Sequence, residues 1–188
     1  MKKLTMTKDF NGAVEDIVEI IMTKVLVTYY SKSGSTKKLA MAVSDGVKDA
    51  GGTVTLKSVN EVDVAELPTY DGIIIGSPVY FGTMAAEVKK LIDESISIRR
   101  KLEGKVGAAF VTSRHRTGGK ETTLLSILEA MLVHGMIVIG DPIETGGHYG
   151  AAGDGKEVDE QAQKEARGLG RRVVNIAEKL SNNLLKKG

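Results

Sequence analysis

The sequence predicts an α/β fold: a doubly wound, five-stranded parallel sheet in the order 2-1-3-4-5, with helices on both faces. Three observations carry the expectation. Short β-branched runs alternate along the chain with longer segments of helical period. Two of those runs, Ile73-Ile74-Ile75-Gly76 and Gly107-Ala108-Ala109-Phe110-Val111, are continuously apolar, as strands buried on both faces must be. A loop of small hydroxylated residues follows the first run, where such sheets build ligand sites.

Taken in order, the first strand falls at Val25–Tyr30 and its helix at Thr36–Ala50, with the second strand at Val54–Val59. The third strand, Gly72–Gly76, leads to a helix over Ala85–Glu94, and the fourth, Val106–Thr112, to one over Glu121–His134. Ile137–Gly140 supplies the fifth strand and Val158–Asn182 the last helix. Residues 1–21 precede this pattern. Over Asp9–Ile21 the spacing of Val14, Ile17, Val18 and Ile21 predicts a short amphipathic helix. An alternative takes residues 1–21 as an extension left by a mis-set start, with Met22 opening the functional domain at 22–188; a GGAG across the Val18-Glu19 codons would be its sign in the gene.

A chain of 188 residues with 41% hydrophobic content and 22 dispersed glycines suits one compact domain with many reversals. The absence of cysteine excludes disulfides, thiolate metal sites, iron–sulfur clusters and a cysteine nucleophile, and fits a reducing cytoplasm. The net charge of +2 comes from interspersed signs and calls for no nucleic-acid partner. Arg99-Arg100-Lys101, Arg171-Arg172 and Lys186-Lys187 read as solvated helix faces. No apolar run approaches the roughly 20 residues of a membrane span and no signal-peptide core opens the chain, so a soluble, cytoplasmic protein is expected.

Three loops at strand ends gather the residues suited to a site. The first, Ser31, Lys32, Ser33, Gly34, Ser35 and Thr36, puts four hydroxyls and a glycine between a strand and a helix, an anion-binding arrangement. Helix capping by Ser33 or Ser35 is the competing explanation. The glycine spacing of an ATP-binding P-loop is missing, and Gly168-Leu169-Gly170 sits inside the last helical segment, where helix packing explains it. The second loop, GSPVYFGTM from Gly76 to Met84, carries two of only eight aromatics, Tyr80 and Phe81, able to cover a flat ring. A hydrophobic staple to the following helix would account for Phe81 alone. The third, Thr112 to Thr123, is small and glycine-paired and permits close backbone approach. A phosphate end and a ring end together suit a mononucleotide with a planar heterocycle.

VLVTYYSKSGST, YDGIIIGSPVYFGTM, TGGKETT, LVHGM and GGHYGAAGDG, spread from Met22 to about Leu180, together resemble the flavodoxin-like FMN proteins, and among them the WrbA-type NAD(P)H:quinone oxidoreductases. The resemblance implies that Ser31–Thr36 hold the FMN phosphate and that Pro78, Val79, Tyr80, Phe81 and Gly82 lie against the ring. It implies further that Thr112, Ser113, Thr117, Gly118 and Gly119 line the ring's polar edge. His134 matches a histidine near the flavin, contributed by the same or a neighbouring subunit; stabilisation of a helix C-terminus is the alternative. No catalytic side chain and no metal is implied, because the flavin carries the chemistry between NAD(P)H and a quinone. A homo-oligomer, dimer or tetramer, is implied as well.

The chain departs from that group in three places. An aromatic residue stands there in place of Ser33, a tryptophan precedes strand four whereas this chain has none, and the segment between strands two and three is shorter here. Arg114, His115 and Arg116 occupy a loop that the group keeps uncharged; they either face the flavin edge, hold a phosphate of NADPH, or face solvent. The competing function is a one-electron carrier of the flavodoxin kind, whose usual acidic docking face this chain does not present; a cofactor-free regulatory or scaffold protein is the remaining one.

Overall fold

The computed structural model describes residues 4–8, 14–18, 22–155 and 158–185. Two strands, β1 (Leu4–Lys8) and β2 (Val14–Val18), pair antiparallel as a separate two-stranded sheet. The expected helix over Asp9–Ile21 is thus a strand wherever it is described, while 9–13 and 19–21 lie outside the described residues. Three of the five residues of β2 are β-branched, and a cross-strand ladder uses them better than a helix does.

The main sheet runs β4 (Thr53–Ser58), β3 (Lys24–Tyr29), β5 (Gly72–Tyr80), β7 (Val106–Ser113), β8 (Ile137–Val138), all parallel, which is the expected 2-1-3-4-5 order. The fifth position is split. β8 pairs with the start of β7, and β9 (Ala151–Asp154) pairs with its end, so residues 139–150 loop out between two halves of one strand. Ile139 and Gly140, expected inside the strand, open that excursion, and the AAGD of GGHYGAAGD completes the sheet.

The central strands alternate between two cores. Val25, Val27, Ile74, Ala108 and Phe110 face α1 (Ser35–Asp49) and α4 (Glu160–Leu185), while Leu26, Ile73, Ile75, Ala109 and Val111 face α2 (Ala86–Glu94) and α3 (Lys120–Val133). Successive side chains point to opposite faces, so a strand covered on both must be apolar throughout, and every residue of β7 is buried. Helices α1 and α4 cross with backbone almost touching: a β-carbon on Gly46 would strike the Arg167 carbonyl, and one on Gly170 the Val43 carbonyl. Gly170 is therefore a packing residue, as its place inside a helical period suggested.

Candidate functional site

The chain after β3, the end of β5 and the loop after β7 meet at the carboxyl edge of the sheet and enclose a cleft of about 220 Å³. Its floor is a buried contact between Thr36 Oγ1 and Thr112 Oγ1 at 2.8 Å, which joins the first and third loops past the intervening β5.

The first loop does not use serine to cap its helix. Gly34 is the N-cap of α1, with φ at 94° and no side-chain cap. A β-carbon there would meet nothing within 4 Å, so glycine answers to the left-handed backbone and not to crowding. Ser31 Oγ accepts from the Gly34 N–H at 3.1 Å and shapes the turn. Lys32, Ser33, Ser35 and Thr36 line the cleft, where the positive end of the α1 dipole favours an anion.

The second segment is more regular than a loop. β5 extends through Pro78 to Tyr80, and a two-residue turn of Phe81 (φ 51°) and Gly82 (φ 81°) returns the chain as β6 (Thr83–Met84). Two positive φ values make the reversal that matches strand twist in tight hairpins. The hydrophobic staple is absent. Phe81 is 108% exposed, and the start of α2 is held instead by the buried Ser77, whose hydroxyl accepts from the Ala85 N–H at 2.9 Å. Pro78, Val79 and Tyr80 line the cleft. Tyr30 stands edge-on to Tyr80, centroids 6.5 Å apart and planes at 78°. A hydrogen bond to Glu87, helped by burial, raises the Tyr30 hydroxyl above the usual tyrosine range.

The third loop folds on itself. Ser113 Oγ donates to the His115 carbonyl at 2.6 Å and accepts from its N–H at 3.2 Å, and Gly118 N–H donates to the same carbonyl at 3.0 Å. His115 thus organises the loop. Thr112, Ser113 and the exposed Arg114 line the cleft, whereas Arg116 and Thr117, also exposed, do not. Gly119, left-handed at φ 97°, caps α3, and Thr122 Oγ1 donates to the Gly82 carbonyl at 2.8 Å, fastening the hairpin tip to that helix. Lys120 pairs with Asp154 at 2.6 Å, and Gly155, next along, completes the cleft lining and donates to the Ser113 carbonyl at 2.8 Å.

The excursion between β8 and β9 is organised by Asp141, 1% exposed, whose carboxylate accepts from Gly147 N–H at 2.9 Å, His148 N–H at 2.8 Å and Thr145 Oγ1 at 3.2 Å. Arg172 of α4 donates to the Gly140 and Asp141 carbonyls. The GGHYG segment is therefore a pinned loop beside the sheet edge.

His134 is not brought to the cleft within one chain. It ends α3, whose 14 residues span about 21 Å from Gly119, and its Nε2 lies 2.7 Å from Ser95 Oγ at the far end of α2. Burial, with Arg99 nearby, lowers its pKa, which disfavours the cationic form that a helix C-terminus would use. His134 also borders a 30 Å³ void between the sheet and the α2/α3 layer, together with Thr28. Thr28 Oγ1 and His134 Nδ1 are the buried side-chain polar atoms without a hydrogen-bond partner among the described residues.

Of the residues expected at the site, most of the first loop, Pro78 to Tyr80 and Thr112 to Arg114 converge on one cleft. Ser31, Gly34, Gly82, Gly118 and Gly119 shape its loops, and Phe81 and His134 stand apart. Ser77, Thr122, Asp154 and Gly155 were not expected. Their partners lie from 8 to 42 residues away; the segments GSPVYFGTM, TGGKETT and GGHYGAAGDG contain them but did not single them out.

Residues 26–132 match the flavodoxin domain. The chain is 40% identical over 193 residues to a protein of Archaeoglobus fulgidus named NAD(P)H dehydrogenase (quinone), an alignment covering 85% of this chain and all of that protein. A Sinorhizobium fredii protein of the same name is 36% identical over 199 residues, covering 86% of this chain and all of that one. Among solved structures, a flavodoxin, WrbA-like protein from Agrobacterium tumefaciens superposes with a TM-score of 0.71 at 26% identity, over 84% of this chain and 98% of that one. A flavodoxin from the domain Archaea gives 0.70 at 26%, over 83% and 99%.

Proposed function

The chain belongs to the flavodoxin family, in the branch of the WrbA-type NAD(P)H:quinone oxidoreductases, and from that premise we propose that it binds FMN and reduces quinones with NAD(P)H. The observation that carries the reading is the convergence of the three loops on one cleft with a phosphate end and a ring end. The residues fit the cofactor. Gly34 leaves open space over the first loop, Ser33, Ser35 and Thr36 supply hydroxyls beside the start of α1, and Tyr80 offers an aromatic face flanked by Pro78 and Val79.

FMN when bound supplies the redox chemistry. The chain's part is to hold and to shield. The Ser31–Thr36 loop anchors the phosphate; Val79 and Tyr80 cover the ring; Thr112 and Ser113 offer polar groups to its edge. Edge-on contact with Tyr30 and the buried Ser77 stiffen the ring segment.

A homo-oligomer is part of the proposal. Leu132 and Val133 end α3 exposed, and Phe81 projects from the hairpin fastened to the same helix. A second copy covering them would remove apolar surface from water, and light scattering on the purified protein tests it. No helix among the described residues is long and apolar enough to cross a membrane.

The visible spectrum tests the function. A yellow protein whose flavin band bleaches with NADH or NADPH and returns with a soluble quinone is expected. A band that ignores both donors points to a one-electron carrier, and a colourless protein that takes up no FMN sinks the reading.

A further inference from the structure

We propose that the side chains of Lys32 and Arg114 form a phosphate-binding rim for the nicotinamide donor, distinct from the first-loop hydroxyls and the start of α1 that hold the cofactor phosphate. The inference rests on the reading of the cleft as an FMN site for an NAD(P)H-using enzyme. The two cations come from the first and third loops, 82 positions apart, and line the same cleft although β5 lies between their strands. Among the described residues, no carboxylate lines that cleft.

Two other cations of the neighbouring segments, Lys120 and Arg116, do not join them on the lining. Lys120 is 14% exposed and paired with Asp154, and Arg116, on the same loop as Arg114, is exposed outside the cleft lining. Farther off, Lys57 pairs with Glu66 and Arg167 with Asp45 and Asp49. Neither Lys32 nor Arg114 has a hydrogen bond or ion pair among the described residues.

The phosphate of the cofactor has its own provision in the hydroxyls of the first loop and the start of α1. Two further exposed cations on the cleft lining, with no acid beside them among the described residues, create a positive potential that an incoming polyanion meets first. A nicotinamide dinucleotide is such a polyanion. Its pyrophosphate, and in NADPH the 2′-phosphate, suit a guanidinium fork and an ammonium. Ser33, next to Lys32 on the same lining, is small, and Lys32, Ser33 and Arg114 are all exposed.

The test is calorimetric titration of ADP-ribose and 2′-phospho-ADP-ribose into the FMN-loaded full chain, with FMN affinity measured in parallel. Neither probe carries a nicotinamide, so binding is read without turnover. Lys32→Gln and Arg114→Gln are each expected to weaken probe binding about ten-fold. Arg116→Gln makes the same change in net charge outside the cleft and should shift it less than about two-fold. A greater loss for the 2′-phosphorylated probe assigns the rim to the 2′-phosphate, and equal losses assign it to the pyrophosphate. No binding of either probe to the unaltered chain, unchanged affinity in both variants, or losses that track weaker FMN binding overturns the proposal. Failure of the enzymatic reading shows differently, as probe binding that persists in a protein whose flavin neither donor bleaches.

Discussion

Thr36 and Thr112, 76 positions apart, meet hydroxyl to hydroxyl at 2.8 Å beneath the cleft and tie the loop after β3 to the loop after β7. Either hydroxyl alone would be a buried polar group without its partner. Thr36→Val or Thr112→Val should therefore cost about 1–3 kcal/mol in urea unfolding and weaken FMN binding. The double variant should recover part of the stability but not the FMN affinity, since it removes both groups from the floor.

Asp141 holds three donors of the 139–150 excursion with one carboxylate. Asp141→Ala leaves two backbone N–H groups and a threonine hydroxyl to find water, and the expected loss is about 2–4 kcal/mol, read as a lower thermal midpoint. Faster amide exchange at Gly147 and His148 should accompany it.

Thr28 is fully buried and its hydroxyl has no partner among the described residues. Thr28→Val keeps the β-branched shape and removes the unsatisfied group. It should raise stability by about 1 kcal/mol in chemical denaturation; a loss would mean that the hydroxyl is satisfied by solvent in the neighbouring void.

At the α1/α4 crossing, Gly170→Ala would drive a methyl group into the Val43 carbonyl. Separating the two helices should cost about 1–3 kcal/mol, visible as a lower denaturation midpoint.

His134 has a pKa lowered by burial, with Arg99 adding to the effect, from an unfolded value of 6.5. The unfolded chain binds this proton first, so the contribution to stability is present above about pH 6.5 and is lost as the pH falls through the lower folded value. His134→Asn should flatten that part of the profile of stability against pH.

Much of the architecture was legible because it depends on local periodicity. The apolar runs of β5 and β7 announce strands buried on both faces, and helical spacing between them announces crossovers, so the order of the sheet followed. The N-terminal segment misled because Val14, Ile17 and Val18 suit a helical face and a strand alike, and the choice lay with the pairing partner at Leu4–Lys8. The fifth strand was read one half short for a related reason: Ala151–Asp154 is too brief and too poor in β-branched residues to stand out without β7 beside it.

The sequence by itself determined the family, the strand order and which loops crowd the carboxyl edge of the sheet, because motif spacing and hydrophobic period are properties of neighbours along the chain. Tertiary structure alone decided that Gly34 and not a serine starts α1, that Ser77 and Thr122 brace the β5–β6 hairpin and the start of α2, and that Phe81 faces solvent. It also parted His134 from the cleft and brought Lys32 and Arg114 together at its rim. Each of these depends on groups made adjacent by the crossing of the chain over itself, and such adjacency has no signature in local order.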